Sequence, residues 1–198
     1  MKQNYGLLFG PLAAVILALG VALLPLMIPG YSQIHQTVSE IGEVDSPARV
    51  PFALMLYAVA LCILIFASTL RKVSIRSGHS PLAAYLTGCM ALSVVGVSVF
   101  AYPHPLHGYF GLSELIGYQA PLALALTSRR DSRSRSLARM SWVLSILMWV
   151  AIALNLSTLD RSGSLWAYER PVYGLVQRSL FVVWFGWCTI VGVILFRD

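Results

Sequence analysis

GLLFGPLAAVILALGVALLPLMI, residues 6–28, is an apolar run without a single charged side chain. As a helix rising 1.5 Å per residue, such a run reaches across the ~30 Å hydrocarbon core of a bilayer. It is too long for the apolar segment of a signal peptide. It ends at Pro25 and Pro29 without a small-x-small cleavage pattern, so it reads as a retained first transmembrane helix. Runs of the same kind recur at about 51–70, 81–102, 109–127, 140–159 and 172–196. The expected fold is therefore all-α: one transmembrane domain over residues 1–198, built as a six-helix bundle. Pro51, Pro81 and Pro171 fall at or near helix starts, where a missing N–H costs little. Pro121 falls inside the fourth run and is expected to kink it.

Composition points the same way. Of the 198 residues 58% are hydrophobic and 11% charged, against about a quarter charged in soluble domains. A chain so poor in charge cannot clothe a soluble globule. The net charge of +6 has to be read by position, and the basic residues flank apolar runs, which argues for topology signals and against nucleic acid. Cys62, Cys89 and Cys188 all lie in apolar runs with no CxxC spacing, and read as small buried hydrophobes rather than a disulfide framework.

Lysine and arginine set the orientation. Lys2, Arg71, Lys72, Arg76, Arg129, Arg130, Arg133, Arg135, Arg139 and Arg197 share one side of a six-pass topology, ten of the 14 basic residues. The positive-inside rule puts that side, and with it both termini, in the cytoplasm of a bacterial or archaeal cytoplasmic membrane. Glu40, Glu43, Asp45, Asp160, Glu169, His35, His104 and His107 gather on the other side, ringed by Tyr and Trp. The segment 128–139, SRRDSRSRSLAR, reads either as a topology anchor or as a contact for anionic lipid or a protein partner. Small residues along the third run (Gly88, Ser93, Gly96, Ser98) suit close helix packing.

Three places on the outer side can carry chemistry. The first is the loop 29–50, too long for a plain connector. Tyr31, Ile34, Val38 and Ile41 recur at helical spacing, which predicts a short amphipathic surface helix ending at Gly42. On it His35 and Ser39, four residues apart, share a neighbouring face, and with Glu40 they form either a lid over a pocket or a structural flap. The second is the turn Tyr102-Pro103-His104-Pro105-Leu106-His107-Gly108. His104 and His107 have a spacing that serves one metal ion, but zinc wants three or four protein ligands. His35, Glu40 or Glu114 would have to complete the set; otherwise this is an interfacial turn.

The third is intramembrane. Glu114 follows His107 by seven residues, so it shares that helix face about 10 Å deeper. Arg178 enters the sixth run to a similar depth. Ionisable groups in a membrane are costly, face the bundle interior and find a partner. A Glu114–Arg178 pair is expected, with Asn155 nearby, as the floor of a polar cavity or as a structural tie between helices four and six. A Ser–His nucleophile can be drawn with Ser39 near His35 or Ser113 near His107, without a nucleophile-elbow signature.

Two of these stretches carry a family resemblance. Tyr31-Ser32 with Thr37-Val38-Ser39-Glu40-Ile41-Gly42, and Pro103-His104-Pro105-Leu106-His107-Gly108, resemble the prokaryotic membrane proteins of "domain of unknown function 998". The likeness covers essentially the whole chain and its rhythm of six spans. Over the first loop alone, Ser39-Glu40-Ile41-Gly42 is also similar to a motif of the eukaryotic damage-regulated autophagy modulators. The first resemblance implies no activity and supplies no catalytic residues.

The leading functional expectation is an outward polar pocket for a lipid headgroup or other amphiphile, lined by Glu114, Arg178, His107, His104 and Asn155 and covered by His35, Ser39 and Glu40. The alternatives are a metal-dependent membrane hydrolase, with zinc on His104 and His107, and a small sensor or assembly subunit using the basic segment. A protein partner or a homo-oligomer is compatible with each. Transport is less favoured, because no matched pair of broken helices is evident.

Overall fold

The computed structural model describes residues 4–128 and 132–197, and for 132–134 the backbone only. Lys2, Arg129, Arg130 and the side chain of Arg133, four of the expected topology signals, lie outside the described residues. All regular structure among the described residues is helical. Helix α1 (Phe9–Leu23) is extended by 3-10 turns at Tyr5–Leu8 and Leu24–Met27. A one-turn α2 (Val38–Ile41) follows, then α3 (Arg49–Arg76), α4 (Leu82–Val99), α5 (Pro105–Gly117) and α6 (Ala120–Thr127). The chain continues through α7 (Ser132–Ser157), a short α8 (Trp166–Glu169), a 3-10 turn at Arg170–Val172, and α9 (Tyr173–Phe196).

Five stretches are long and apolar enough to cross a membrane: Tyr5–Met27, Arg49–Arg76, Leu82–Val99, Arg135–Ser157 and Trp166–Phe196. The protein is a polytopic helical membrane protein. The fourth expected span, 109–127, is not a continuous helix. It is broken into α5 and α6 at Tyr118-Gln119.

Proline explains the break. In a continuous helix the N–H of residue 121 would bond to the carbonyl of residue 117, and Pro121 has no N–H. The buried Gly117 carbonyl accepts instead from the indole N–H of Trp184 on α9, at 3.0 Å. Trp184 is fully buried, so neither group has water to fall back on. Above the break α5 packs on α4; below it α6 packs on α4 and α7. The expected prolines at helix starts are in place: Pro51 in the first turn of α3, Pro81 capping α4, and Pro171 just ahead of α9.

The basic ends are more helical than expected. Arg71, Lys72 and Arg76 continue α3 beyond its apolar stretch. Most of the expected polar segment 128–139 forms the first turns of α7, with Arg135 and Arg139 exposed. The two ends of the chain meet. A Cβ on Gly6 would run into Thr69, and one on Gly192 would lie 2.5 Å from the Leu7 carbonyl oxygen. The start of α1, the end of α3 and the end of α9 therefore share one end of the bundle. Along α4, Ser93 bonds Ser113 of α5 at 2.7 Å, Ser98 donates to the Ala53 carbonyl of α3, and the Phe110 ring lies over Gly96. Gly88 faces open space.

Trp184→Phe keeps an aromatic in the core but strips the Gly117 carbonyl of its donor. It is expected to lower stability by about 1–3 kcal/mol, read as a lower melting temperature in detergent. Trp142→Phe, on an exposed face of α7, is expected to melt with the wild type.

Candidate ligand cavity

At the end of the bundle opposite the termini, the loop 29–48 folds back onto α9 and the α4–α5 turn. The expected amphipathic helix is only its last turn. Val38 and Ile41 are buried while Ile34 stays exposed, because regular helix begins only at Val38 and residues 33–35 form a separate turn. Gly42 does cap that turn, and the Phe52 ring fills the place its Cβ would take.

Arg178 organises this end. Its Nη1 donates to the carbonyls of Gln36 (2.8 Å) and Gly174 (2.9 Å), and its Nη2 to the Tyr31 hydroxyl (2.8 Å). The Tyr31 hydroxyl passes its own proton to the Thr37 carbonyl at 2.6 Å. Gly174 N–H meets the Ile34 carbonyl at 2.8 Å, and a Cβ on Gly174 would strike the carbonyls of Gln33 and Gln36. Only glycine allows that approach. Burial pushes the Tyr31 phenol above its ordinary 10.0, although the Arg178 guanidinium pulls the other way. Tyr31 is therefore a neutral donor at physiological pH.

The expected Glu114–Arg178 ion pair is not formed. Arg178 spends its planar fork on one loop carbonyl (Gln36), the Gly174 carbonyl of its own helix and a phenol, with Nε buried and unpartnered. Glu114 accepts instead from the Tyr118 hydroxyl one turn on, at 2.8 Å. The loop wins the arginine because its Gln36 carbonyl and Tyr31 hydroxyl, with the Gly174 carbonyl of α9, meet the guanidinium fork together, where a carboxylate on a neighbouring helix would supply one group.

Beneath the loop lies a cavity of about 230 Å³ reached by α1, α2, α3, α4, α5, α7 and α9. Four of the expected pocket residues line it: Ser39, His107, Glu114 and Asn155. Tyr118 and Gln177 add polar atoms, and the remaining wall is mostly Leu, Val, Ile, Phe and Trp. Arg178, His104, His35 and Glu40 are not part of that wall. His35 donates from Nδ1 to the Pro171 carbonyl at 2.7 Å, on the surface. His104 Nδ1 accepts the Leu106 N–H and so caps α5. Glu40 lies near Tyr31, whose ionisation its charge opposes.

His107 spans the join between loop and bundle. Its Nδ1 faces two carbonyls, Phe100 at 2.8 Å and Val97 at 3.2 Å. Carbonyls only accept, so Nδ1 carries the proton. Nε2 lies 3.0 Å from the Ser39 hydroxyl of α2. Asn155 ties α7 to α9 through its amide N–H groups, which donate to the Ala151 and Val176 carbonyls. Gln177 Oε1 accepts the Val38 N–H at 2.6 Å.

With this arrangement in view, comparison places the chain. It matches the family described as "Protein of unknown function (DUF998)" over residues 11–194. The chain belongs to the DUF998 family. The matched region holds α2 to α8 and every residue lining the cavity. No curated protein and no solved structure matches the chain. What this DUF998 protein does has to be argued from its own geometry.

Among the described residues no three of His, Cys, Asp and Glu come together. His104 and His107 point their Nδ1 atoms at different tasks, one accepting from an amide and one donating to carbonyls. Tyr118 was within reach of sequence reasoning, at i+4 from Glu114 on one helix face. Nothing local marks Gln177, or the pairing of Ser39 with His107 across 68 residues.

Double-mutant cycles separate the two views of Arg178. Tyr31→Phe with Arg178→Lys is expected to show coupling of about 0.5–3 kcal/mol. Glu114→Gln with Arg178→Lys is expected to be additive within about 0.5 kcal/mol. Urea or thermal unfolding in a defined detergent reads both.

Proposed function

We propose that this DUF998 protein is a six-pass membrane protein, both termini cytoplasmic, that binds one amphiphile in the cavity beneath its outer loop. The observation that carries the reading is the cavity wall: broadly apolar, with Ser39, His107, Glu114, Tyr118, Asn155 and Gln177 among its polar members. Ligand pockets combine apolar walls with a few placed polar groups in this way. About 230 Å³ is below the ~300–1,000 Å³ of a drug-sized site, so the cavity suits part of a lipid, a headgroup edge or a segment of acyl chain, with the rest left in the bilayer. A lateral route supports this. Helix α5 has its main packing on α4 rather than on α7 or α9, and Gly117 is its one buried residue. A broken fourth pass spanning α5 and α6 makes six crossings and brings Arg71, Lys72, Arg76, Arg135, Arg139 and Arg197 to one side, the cytoplasmic one by the positive-inside rule.

Gly111 lines the cavity, and a Cβ added there meets nothing within 4 Å. Gly111→Leu should fill the cavity while improving helix propensity by up to about 1 kcal/mol. Lipid mass spectrometry of gently purified protein is expected to find a bound amphiphile in the wild type, reduced at least fivefold in Gly111→Leu at unchanged melting temperature. Equal lipid in the two proteins would end the binding reading. Labelling of Ser164→Cys, but not Ser77→Cys, by an impermeant maleimide on intact cells tests the orientation; the reverse pattern would invert it.

A further inference from the structure

We infer that Ser39 and His107 are a nucleophile and general base acting on a carboxylic ester held in the cavity, so that the protein is a serine-type lipid esterase. This rests on the binding reading of the same cavity and names its chemistry. A serine hydroxyl is a weak nucleophile unless a base lies within hydrogen-bond reach and a third group fixes the base. All three parts are present. The Ser39 hydroxyl is 3.0 Å from His107 Nε2. The Phe100 carbonyl, 2.8 Å from Nδ1, holds the proton on that nitrogen and leaves the Nε2 lone pair facing Ser39. Both side chains line the cavity, so a carbonyl group lying there has access to the hydroxyl.

The neighbouring amide supplies the fourth part. Gln177 Oε1 is committed to the Val38 N–H, next in sequence to Ser39, so its NH2 group is the end left to donate. Gln177 lines the cavity as well. An amide donor on the same cavity wall as the nucleophile is what a developing oxyanion requires. A merely structural Ser–His bond would clasp the loop to α5. It would not call for a base of fixed tautomer, an adjacent amide donor and an opening onto an apolar cavity together.

The reaction balances without a cofactor. Ser39 Oγ attacks the ester carbonyl carbon as its proton passes to His107 Nε2, and the oxyanion is met by Gln177. The C–O bond to the alcohol breaks, and the imidazolium returns the proton to the leaving alkoxide. Water then attacks acyl-Ser39 with His107 again as base, releasing the carboxylic acid and restoring the serine hydroxyl.

The test uses the full chain in detergent with an alkyl fluorophosphonate, whose phosphorus is attacked by an activated serine with loss of fluoride. Peptide mass spectrometry is expected to find Ser39 phosphonylated in the wild type and no label at that peptide in Ser39→Ala. His107→Gln keeps a hydrogen-bonding amide but no base, and is expected to slow labelling about 100-fold or more. Release of p-nitrophenolate from p-nitrophenyl octanoate should follow the same order. An unlabelled Ser39 in folded wild-type protein would overturn the inference, so a variant that fails to fold does not blunt the test. Labelling at the wild-type rate in folded His107→Gln would overturn it too. If the wild type retains an amphiphile that Gly111→Leu loses while Ser39 stays inert, binding stands and the esterase falls. If Ser39 reacts but no amphiphile is retained and Gly111→Leu reacts equally fast, the binding reading falls and takes the lipid substrate with it.

Discussion

Pro121 cannot donate a hydrogen bond, and much of the structure arranges itself around that. In water a helix missing one bond loses little, since solvent meets the stranded carbonyl. In hydrocarbon the carbonyl must find a protein donor or the break is not tolerated. Trp184 gives its indole N–H to Gly117, at 3.0 Å, and that one bond fixes the face of α9 at the level of the break. Gly117 must be small as well: a Cβ there would press within 3.0 Å of the Met90 side chain. Proline, glycine and tryptophan together specify where the 109–127 stretch breaks, and the break changes its neighbours. The half below packs on α7, the half above stays on α4, and the cavity occupies the space that α5 leaves beside α7 and α9.

The other end closes by a different logic. An arginine inside a membrane protein usually answers a carboxylate, yet Arg178 is met by backbone carbonyls and a phenol. Each of these carries only a partial charge, but the guanidinium offers five donors in a fixed plane and matches several oxygens at once. The loop thereby gains a partner for its Gln36 carbonyl as it descends onto α9. Glu114 is consequently free of any cationic partner among the described residues. It keeps one hydrogen bond from Tyr118 and an outlook onto the cavity.

The helices were legible because a bilayer imposes one length and one composition on whatever crosses it. Those constraints act locally, so 6–28, 51–70 and 172–196 could be drawn nearly where α1, α3 and α9 lie. Pro121 was legible as a defect, but its consequence depended on a tryptophan 63 positions away, which no local pattern announces. The same holds for the site. His107 and Glu114 could be placed on one wall because two turns of helix separate them. Ser39 could not be assigned to His107, because the expected helix over Tyr31 to Ile41 gave it to His35 instead. Periodicity of apolar residues predicted that helix, but regular helix begins only at Val38, and the carbonyl of Gln36 just before it is held by Arg178.

The division of labour between the two histidines of the α4–α5 turn shows how position alone separates chemistry. His104 sits at the helix cap, where an unsatisfied N–H is within reach, so its Nδ1 must be an acceptor. His107 sits one turn on, facing the last carbonyls of α4, so its Nδ1 must be a donor. The same residue type, three positions apart, is thus fixed in opposite tautomeric senses by the two helix ends that meet there. That opposition gives His107, and not His104, the free Nε2 lone pair turned toward the loop. The hydrogen bonding available beneath the loop is therefore decided by which helix terminus each imidazole satisfies, and Ser39 stands opposite the Nε2 of His107.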